Sequence, residues 1–265
     1  MPTATSSSSG RDSLLRSGTR LVLLALSGPL AFVAWALGTL VVLPFPRRRR
    51  AVQAAVQHYW ARVVGSILGL RVRVEGTPPP APYLLVSNHL GYLDIVAYGT
   101  VVRGRFVAKR EVRGWPLIGP LAAMVGTIFI DRTLKRDAVR ALDVVQEAVA
   151  DGDGVIVFAE ATSTAGQTVL PFRPALLDWA ARSGHPVHYA SVEYRTPPGG
   201  PPAHLAVCWW GEMTFGGHVA ELARLPWIEA TVRFGAAPIA EPDRKRLAGR
   251  LHQAVAAQFI PVVTE

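Results

Sequence analysis

A single cysteine, Cys208, stands in the 265 residues, so no intrachain disulfide can form and a domain facing a reducing, cytosolic compartment fits the chain. Lying just before Trp209-Trp210, it is expected to be a small core residue in a strand. Acidic residues are scarce as well: 19 against 28 Lys and Arg, a formal charge of +9, which calls for an anionic partner, either nucleic acid or an anionic lipid surface. Charge is missing altogether from Leu21 to Pro46, a run that at about 1.5 Å per residue can cross roughly 30 Å of hydrocarbon. That run favours lipid over nucleic acid, for which no recognition motif is present. No serine sits in a Gly-x-Ser-x-Gly setting, which argues against a serine nucleophile. No histidines show metal-ligand spacing, and neither a metal nor a cofactor is expected.

The rest of the chain divides by composition. Residues 1–20, rich in Ser and Thr near the start, are expected to be disordered. Residues 21–46 form the membrane segment, where Gly28-Pro29 leaves open a kinked span or two half-helices within one leaflet. Arg47 to Arg50 point the domain beyond them toward the cytoplasm, although Arg11, Arg16 and Arg20 on the other flank weaken the asymmetry. Residues 47–75 are expected to form a basic amphipathic helix at the membrane interface, with Val52, Val56, Tyr59, Val63, Ile67 and Leu70 at helical spacing. The same stripe also suits a helix packed on the domain's own core. Pro78 to Pro82 mark the start of a domain over 76–240.

Within that domain, strand-like runs at 84–86, 106–108, 128–130, 155–158, 187–192, 205–210 and 231–234 are interleaved with helical patterns at 93–101, 134–150 and 175–181. Strands separated by helices predict an α/β layered sheet with flanking helices, preceded by the N-terminal hydrophobic segment. Over 241–265, Leu247, Leu251, Val255 and Phe259 predict a C-terminal amphipathic helix that covers the core or touches anionic lipid.

The chemistry concentrates in Ser87-Asn88-His89-Leu90-Gly91-Tyr92-Leu93-Asp94, just after a short apolar strand. An imidazole deprotonates a hydroxyl near neutral pH best when a carboxylate holds its other nitrogen. Five residues along a helix is about 500° of rotation, so the two side chains share no helical face. His89 is therefore expected in a loop, with Asp94 near the first turn of a following helix. Taken alone, the same spacing also describes a core histidine beside a capping aspartate. Asp131 and Arg132 follow Ile128-Phe129-Ile130 and reach the same sheet edge if the strands are parallel, either to bind an anion or as a structural ion pair. Lys109 and Arg110 end another strand.

These motifs, followed by Phe158-Ala159-Glu160-Ala161-Thr162 and Pro186-Val187-His188-Tyr189, resemble in order and spacing the four-block signature of the glycerolipid acyltransferase family, the PlsC-like 1-acyl-sn-glycerol-3-phosphate acyltransferases. The likeness runs from about Tyr83 to Val192. Residues Thr162 to Leu176 and Trp209 to Met213 further resemble the branch of lyso-ornithine-lipid O-acyltransferases. The resemblance implies transfer of a fatty acyl group from acyl-CoA or acyl-ACP (acyl carrier protein) to a lysolipid hydroxyl, at the cytoplasmic face of an inner membrane. It implies His89 and Asp94 as catalytic pair, and Asn88, Lys109, Arg132, Glu160, Ala161 and Thr162 as substrate-binding residues, with backbone amides near Ala161 available to an oxyanion. The third block departs from the family wording Phe-Pro-Glu-Gly-Thr-Arg by Ala159, Ala161 and Ser163. A methyl group where glycine had positive φ costs roughly 1 kcal/mol. Ser163 removes a cation that resembles the grip on an acceptor phosphate, which makes a lyso-ornithine lipid a rival acceptor. The alternative from another class is an inactive lipid-binding protein that keeps the fold.

Overall fold

The computed structural model describes residues 6–131 and 135–263. In chain order the described elements are helices α1 (Ser6–Val41) and α2 (Pro46–Leu68), strands β1 (Leu70–Glu75) and β2 (Tyr83–Ser87), helix α3 (Leu93–Val101), strand β3 (Arg105–Lys109), helix α4 (Ile118–Met124) and strand β4 (Ile128–Ile130). They continue with helix α5 (Lys135–Ala150), strand β5 (Gly154–Phe158), helix α6 (Asp178–Ser183), strand β6 (Val187–Arg195), helices α7 (Ala203–Ala206) and α8 (Phe215–Arg224), strand β7 (Ile228–Phe234) and helix α9 (Arg244–Gln258).

The sheet runs in the order β1-β7-β6-β2-β5-β3-β4. From β6 to β4 all neighbours are parallel, while β7 is antiparallel to β6 and parallel to β1. Central strands β2 and β5 are buried at every residue, as parallel strands covered on both faces must be. Alternation along β2 divides the core: Tyr83 and Leu85 join α2 and α3 on one face, and Leu84 and Val86 join α5, α6 and α9 on the other. Three layers result, with the carboxyl ends of β2, β5, β3 and β4 along one edge.

The first 20 residues are not disordered where they are described, because α1 already begins at Ser6. Its start is tied to α8: Arg16 donates to the Arg224 carbonyl at 2.9 Å, and the Ser17 hydroxyl to the Ala220 carbonyl at 3.1 Å. The helix also runs through Gly28-Pro29 as one piece, so two half-helices do not form; Pro29 removes one backbone donor only. Asp12–Val41 is long and apolar enough to cross a membrane.

Residues 47–75 are not one interfacial helix either. Helix α2 buries Ala61, Val64 and Leu68 against α3 and stops at Gly69, whose φ of 70° is the left-handed end a glycine reaches freely. Leu70, Val72 and Val74 then alternate with Arg71, Arg73 and Glu75 as edge strand β1, placing the start of the sheet before Pro78. Residues 205–210 are no strand: after Pro201-Pro202 the chain makes the short helix α7, and the Trp209 amide bonds the Leu90 carbonyl at 2.8 Å. Cys208 is buried there, outside any strand.

Helix α9 covers the core, with Leu247, Leu251 and Val255 fully buried and Asp243 capping its first turn. Leu251→Ala is expected to cost about 2–5 kcal/mol in urea unfolding of the solubilised protein, as a core leucine does. A cost below about 1 kcal/mol would instead mark a lipid-facing helix.

Candidate active site

His89 lies in the loop after β2 and Asp94 in the first turn of α3, as their spacing requires. The His89 Nδ1 stands 2.7 Å from Asp94 Oδ2. Against an acceptor carboxylate, Nδ1 carries the proton and Nε2 keeps its lone pair. Among the described residues Nε2 has no partner, and the imidazole remains 22% exposed while Asp94 is wholly buried. The ring is held flat against Phe158, with centroids 4.2 Å apart and planes 11° from parallel.

Asp94 is the most heavily bonded group of the site. Its Oδ2 also accepts the backbone N–H groups of Leu90 at 2.7 Å and Gly91 at 3.2 Å, and its Oδ1 accepts the Tyr194 hydroxyl at 2.8 Å. A carboxylate in the first turn of a helix also meets the positive end of the helix dipole. Nothing in the sequence points to Tyr194, for it lies a hundred residues away, buried near the end of β6. Burial, together with the negative charge of Asp94 beside the hydroxyl, raises the Tyr194 pKa and keeps it a neutral donor.

Glu160 follows β5 and is buried. Its Oε1 accepts the backbone N–H of His89 at 2.7 Å, and its Oε2 that of Leu170 at 3.0 Å. It therefore ties the histidine loop to the loop over 162–176 and acts by positioning. Burial pushes its pKa up to about 7, against the pull of those two N–H donors. Asn88 is likewise a strut: it is buried, its side-chain N–H donating to the Val192 carbonyl at 2.9 Å and its side-chain oxygen accepting the Val192 N–H at 2.8 Å. One amide thus locks β2 to β6 directly beneath His89.

In the third block, Ala161 has φ 66°, the conformation that suits the family's glycine. Its N–H closes a turn onto the Phe158 carbonyl at 3.2 Å, so this amide is already engaged. The next two amides, of Thr162 and Ser163, have no partner among the described residues. Ala159, in place of proline, supplies an N–H that adds a bond to the Ser87 carbonyl at 3.2 Å. The Thr162 side chain is exposed.

The cations stand farther out. Lys109 is exposed at the end of β3, and Arg110 lies 3.7 Å from Asp131. With β5 and β3 between them, β4 is about 14 Å from β2 at the usual strand spacing. Arg132 lies outside the described residues. Beside the dyad, Tyr92, Trp209, Phe215 and Trp115 pack ring to ring into an apolar wall. Gly91 allows it, because a Cβ there would stand 2.9 Å from the Trp209 amide nitrogen.

Fold and site together place a buried-aspartate-held histidine at the carboxyl edge of an α/β sheet. A family model described as Acyltransferase matches residues 71–192. The lyso-ornithine lipid O-acyltransferase of Rhodobacter capsulatus is 32% identical over 261 aligned residues, covering 93% of this chain and 90% of that protein. The 1-acyl-sn-glycerol-3-phosphate acyltransferase of Neisseria gonorrhoeae is 34% identical, over 48% of this chain and 50% of its own. Among solved structures, the 1-acyl-sn-glycerophosphate acyltransferase PlsC of Thermotoga maritima shares the fold, with a TM-score of 0.57 over 90% of this chain and 96% of that one at 18% identity. The chain belongs to the acyltransferase family.

Tyr194→Phe deletes one of the bonds to Asp94 and leaves the dyad in place. The turnover number is expected to fall about tenfold, and the acid limb of the pH–rate profile to move upward, since a less solvated carboxylate holds the imidazolium more tightly. An unchanged profile would make Tyr194 structural only.

A raised folded-state pKa at Glu160 means that the fold favours its protonated form. Its contribution to stability is then fully present below the ordinary value of 4.5 and is lost as pH rises through about 7. Glu160→Gln is expected to flatten that part of the melting temperature's pH dependence, read by thermal unfolding from pH 4.5 to 8.

Proposed function

We propose that the chain transfers a fatty acyl group from acyl-CoA or acyl-ACP to the hydroxyl of a lysolipid, with lyso-ornithine lipid the favoured acceptor, in membrane lipid biosynthesis. The observation that carries this reading is the 2.7 Å contact between His89 Nδ1 and the buried Asp94, which leaves Nε2 facing outward as a base. Nε2 takes the acceptor's hydroxyl proton as the oxygen bonds to the thioester carbon. The tetrahedral adduct then expels the thiolate, which takes that proton back from the imidazolium, giving an ester and a free thiol. Asp94 stabilises the imidazolium between the two steps, and the Thr162 and Ser163 amides are the N–H groups left to meet the oxyanion. No metal and no cofactor beyond the thioester co-substrate is invoked.

The aromatic wall of Tyr92, Trp209, Phe215 and Trp115 suits an acyl chain. For the acceptor, Ser163 supplies no charge where the family wording has arginine. The relatives covered over most of their length carry the name lyso-ornithine lipid O-acyltransferase. Lys109 and Arg173, both exposed, are cations available to an acceptor carboxylate. With the exposed apolar face of α1 set into the cytoplasmic leaflet of an inner membrane, the chemistry takes place where soluble thioesters are found.

The test is acyl transfer by the detergent-solubilised chain from labelled acyl-CoA and acyl-ACP, with lyso-ornithine lipid and lysophosphatidic acid in parallel. Ester is expected mainly on lyso-ornithine lipid, falling about a thousandfold in His89→Ala. Transfer confined to lysophosphatidic acid would overturn the choice of acceptor. Absence of His89-dependent transfer to either would overturn the enzyme reading and leave a lipid-binding protein.

A further inference from the structure

We infer that Val262 and His252 are positioning residues for the dyad: from α9 and the segment after it, they fix the loop over 162–176 where its first turn meets His89. That turn holds the base by both backbone groups. Glu160, at the head of the loop, accepts the His89 N–H at 2.7 Å, and Thr164 donates its backbone N–H to the His89 carbonyl at 3.0 Å. Thr162 and Ser163, whose amides the proposed reaction uses, lie between these two ties. Gly166 then turns the chain with φ 78°, its N–H on the Thr164 hydroxyl at 3.2 Å. Among the described residues, 161–173 belong to no helix or strand, so the shape of the loop depends on what binds its polar groups.

Two of its carbonyls are taken from far along the chain. Val262 donates its N–H to the Gly166 carbonyl at 2.8 Å, and His252 Nε2 lies 3.0 Å from the Val169 carbonyl, carrying the proton because a carbonyl only accepts. Both anchors are themselves held. The His252 ring stands edge-on to Phe172, with centroids 5.7 Å apart. Ile260 donates its N–H to Glu193 at 3.2 Å, and Arg233 grips the same buried carboxylate at 2.6 and 3.1 Å. Glu193 lies on β6 between Val192, which binds Asn88, and Tyr194, which binds Asp94. By the alternation of a strand, β6 thus holds the dyad from one face and the segment after α9 from the other. Packing closes the arrangement: a Cβ on Gly166 would stand 3.0 Å from both Leu90 and Val262, so glycine lets the three meet. The Leu90 N–H is one of those that bind Asp94. The inference rests on the acyl-transfer reading for its effect on rate, since a misplacement of about 1 Å lowers rates by up to about a hundredfold.

The test uses the full chain in detergent and three variants. Val262→Pro deletes the N–H, His252→Phe keeps a ring beside Phe172 and deletes the donor, and Ile260→Ala trims an exposed side chain while leaving its backbone bond. Hydrogen–deuterium exchange is followed at the amides of His89, Thr164 and Leu170, with those of β7 as reference, beside acyl-transfer kinetics on lyso-ornithine lipid and lysophosphatidic acid. Exchange at the three amides is expected to rise about tenfold in Val262→Pro and His252→Phe, with β7 unchanged and Ile260→Ala like the wild type. In the same two variants kcat is expected to fall about tenfold or more, with KM for thioester and lysolipid within about twofold. Should Val262→Pro fold poorly, His252→Phe decides alone. Exchange raised equally across β7, or kcat losses that only follow the melting temperature, would make both residues general stabilisers and overturn the inference. Unchanged exchange at Thr164 and Leu170, or raised exchange with unchanged kcat, would overturn it too. If the wild-type chain transfers nothing to either lysolipid, the acyl-transfer reading fails by itself. The exchange pattern then still upholds or overturns the hold of Val262 and His252 on the His89 loop.

Discussion

The buried carboxylate of Asp94 is the constraint around which the active edge is built. A carboxylate removed from water must find donors on both oxygens, and here four are supplied: the imidazole, two loop amides and the Tyr194 hydroxyl. Three of the donors come from the loop after β2 and the fourth from β6. The amides fix the loop after β2, the helix start fixes the position of Asp94, and β6 brings Tyr194 from the far side. The same bonds that satisfy the charge hold the imidazole in one tautomer. Catalytic geometry is here a consequence of solvating one buried ion.

Phe158 and Glu160 perform a related task from β5. Since β2 and β5 are neighbours, with Ser87 opposite Phe158, the end of β5 falls beside His89, and one strand end delivers both a ring to stack on the imidazole and a carboxylate to bind its backbone. The substitutions in this block then separate by consequence. Ala159 gains a backbone bond that proline could not make. Ala161 keeps the left-handed turn at a cost of roughly 1 kcal/mol, and the Thr162 and Ser163 amides that follow have no partner among the described residues. Ser163 differs from the family wording in charge. A turn that retains its shape against local strain is over-determined by what surrounds it, here the Phe158 carbonyl and the two amides bound by Glu160.

The strands β2 to β7 and the helices α3, α5 and α9 were legible in the sequence because each is an apolar run of strand length or an apolar stripe at helical spacing. So was the dyad, since a loop histidine and a helix-start aspartate are separated by only five residues. What escaped depended on distant partners. Tyr194 shows nothing in its own neighbourhood that links it to Asp94. The place of Asn88 beside His89 is visible in the sequence, whereas its bond to Val192 is not. Strand β1 carries a clear alternation from Leu70 to Glu75, but the helical stripe of α2 runs into Leu70 and hides the change of period. At 205–210 the apolar run matched a strand, and only the capture of the Trp209 amide by Leu90 takes it elsewhere. The Ser-rich start of α1 has no apolar period of its own; its helix is held by Arg16 and Ser17 reaching carbonyls two hundred residues away.

These long-range ties have a common effect on how the two ends of the sheet are used. Arg16 and Ser17 anchor the start of α1 to α8, which leads into β7 and stands on the same face as the aromatic wall, while Arg50 anchors the start of α2 to Asp151 at the opposite edge. The hairpin is thus fastened at both edges and packed along α3 between them. Helix α3 carries Asp94 in its first turn. A rotation of the hairpin would disturb the carboxylate that holds the base, so the outward apolar face of α1 and the imidazole are kept in one fixed relation. An acceptor whose chains lie in the bilayer needs its hydroxyl presented at a constant depth and angle, because reacting atoms must meet within a few tenths of an ångström. A rigidly docked hairpin supplies that register, and a flexible tether would not.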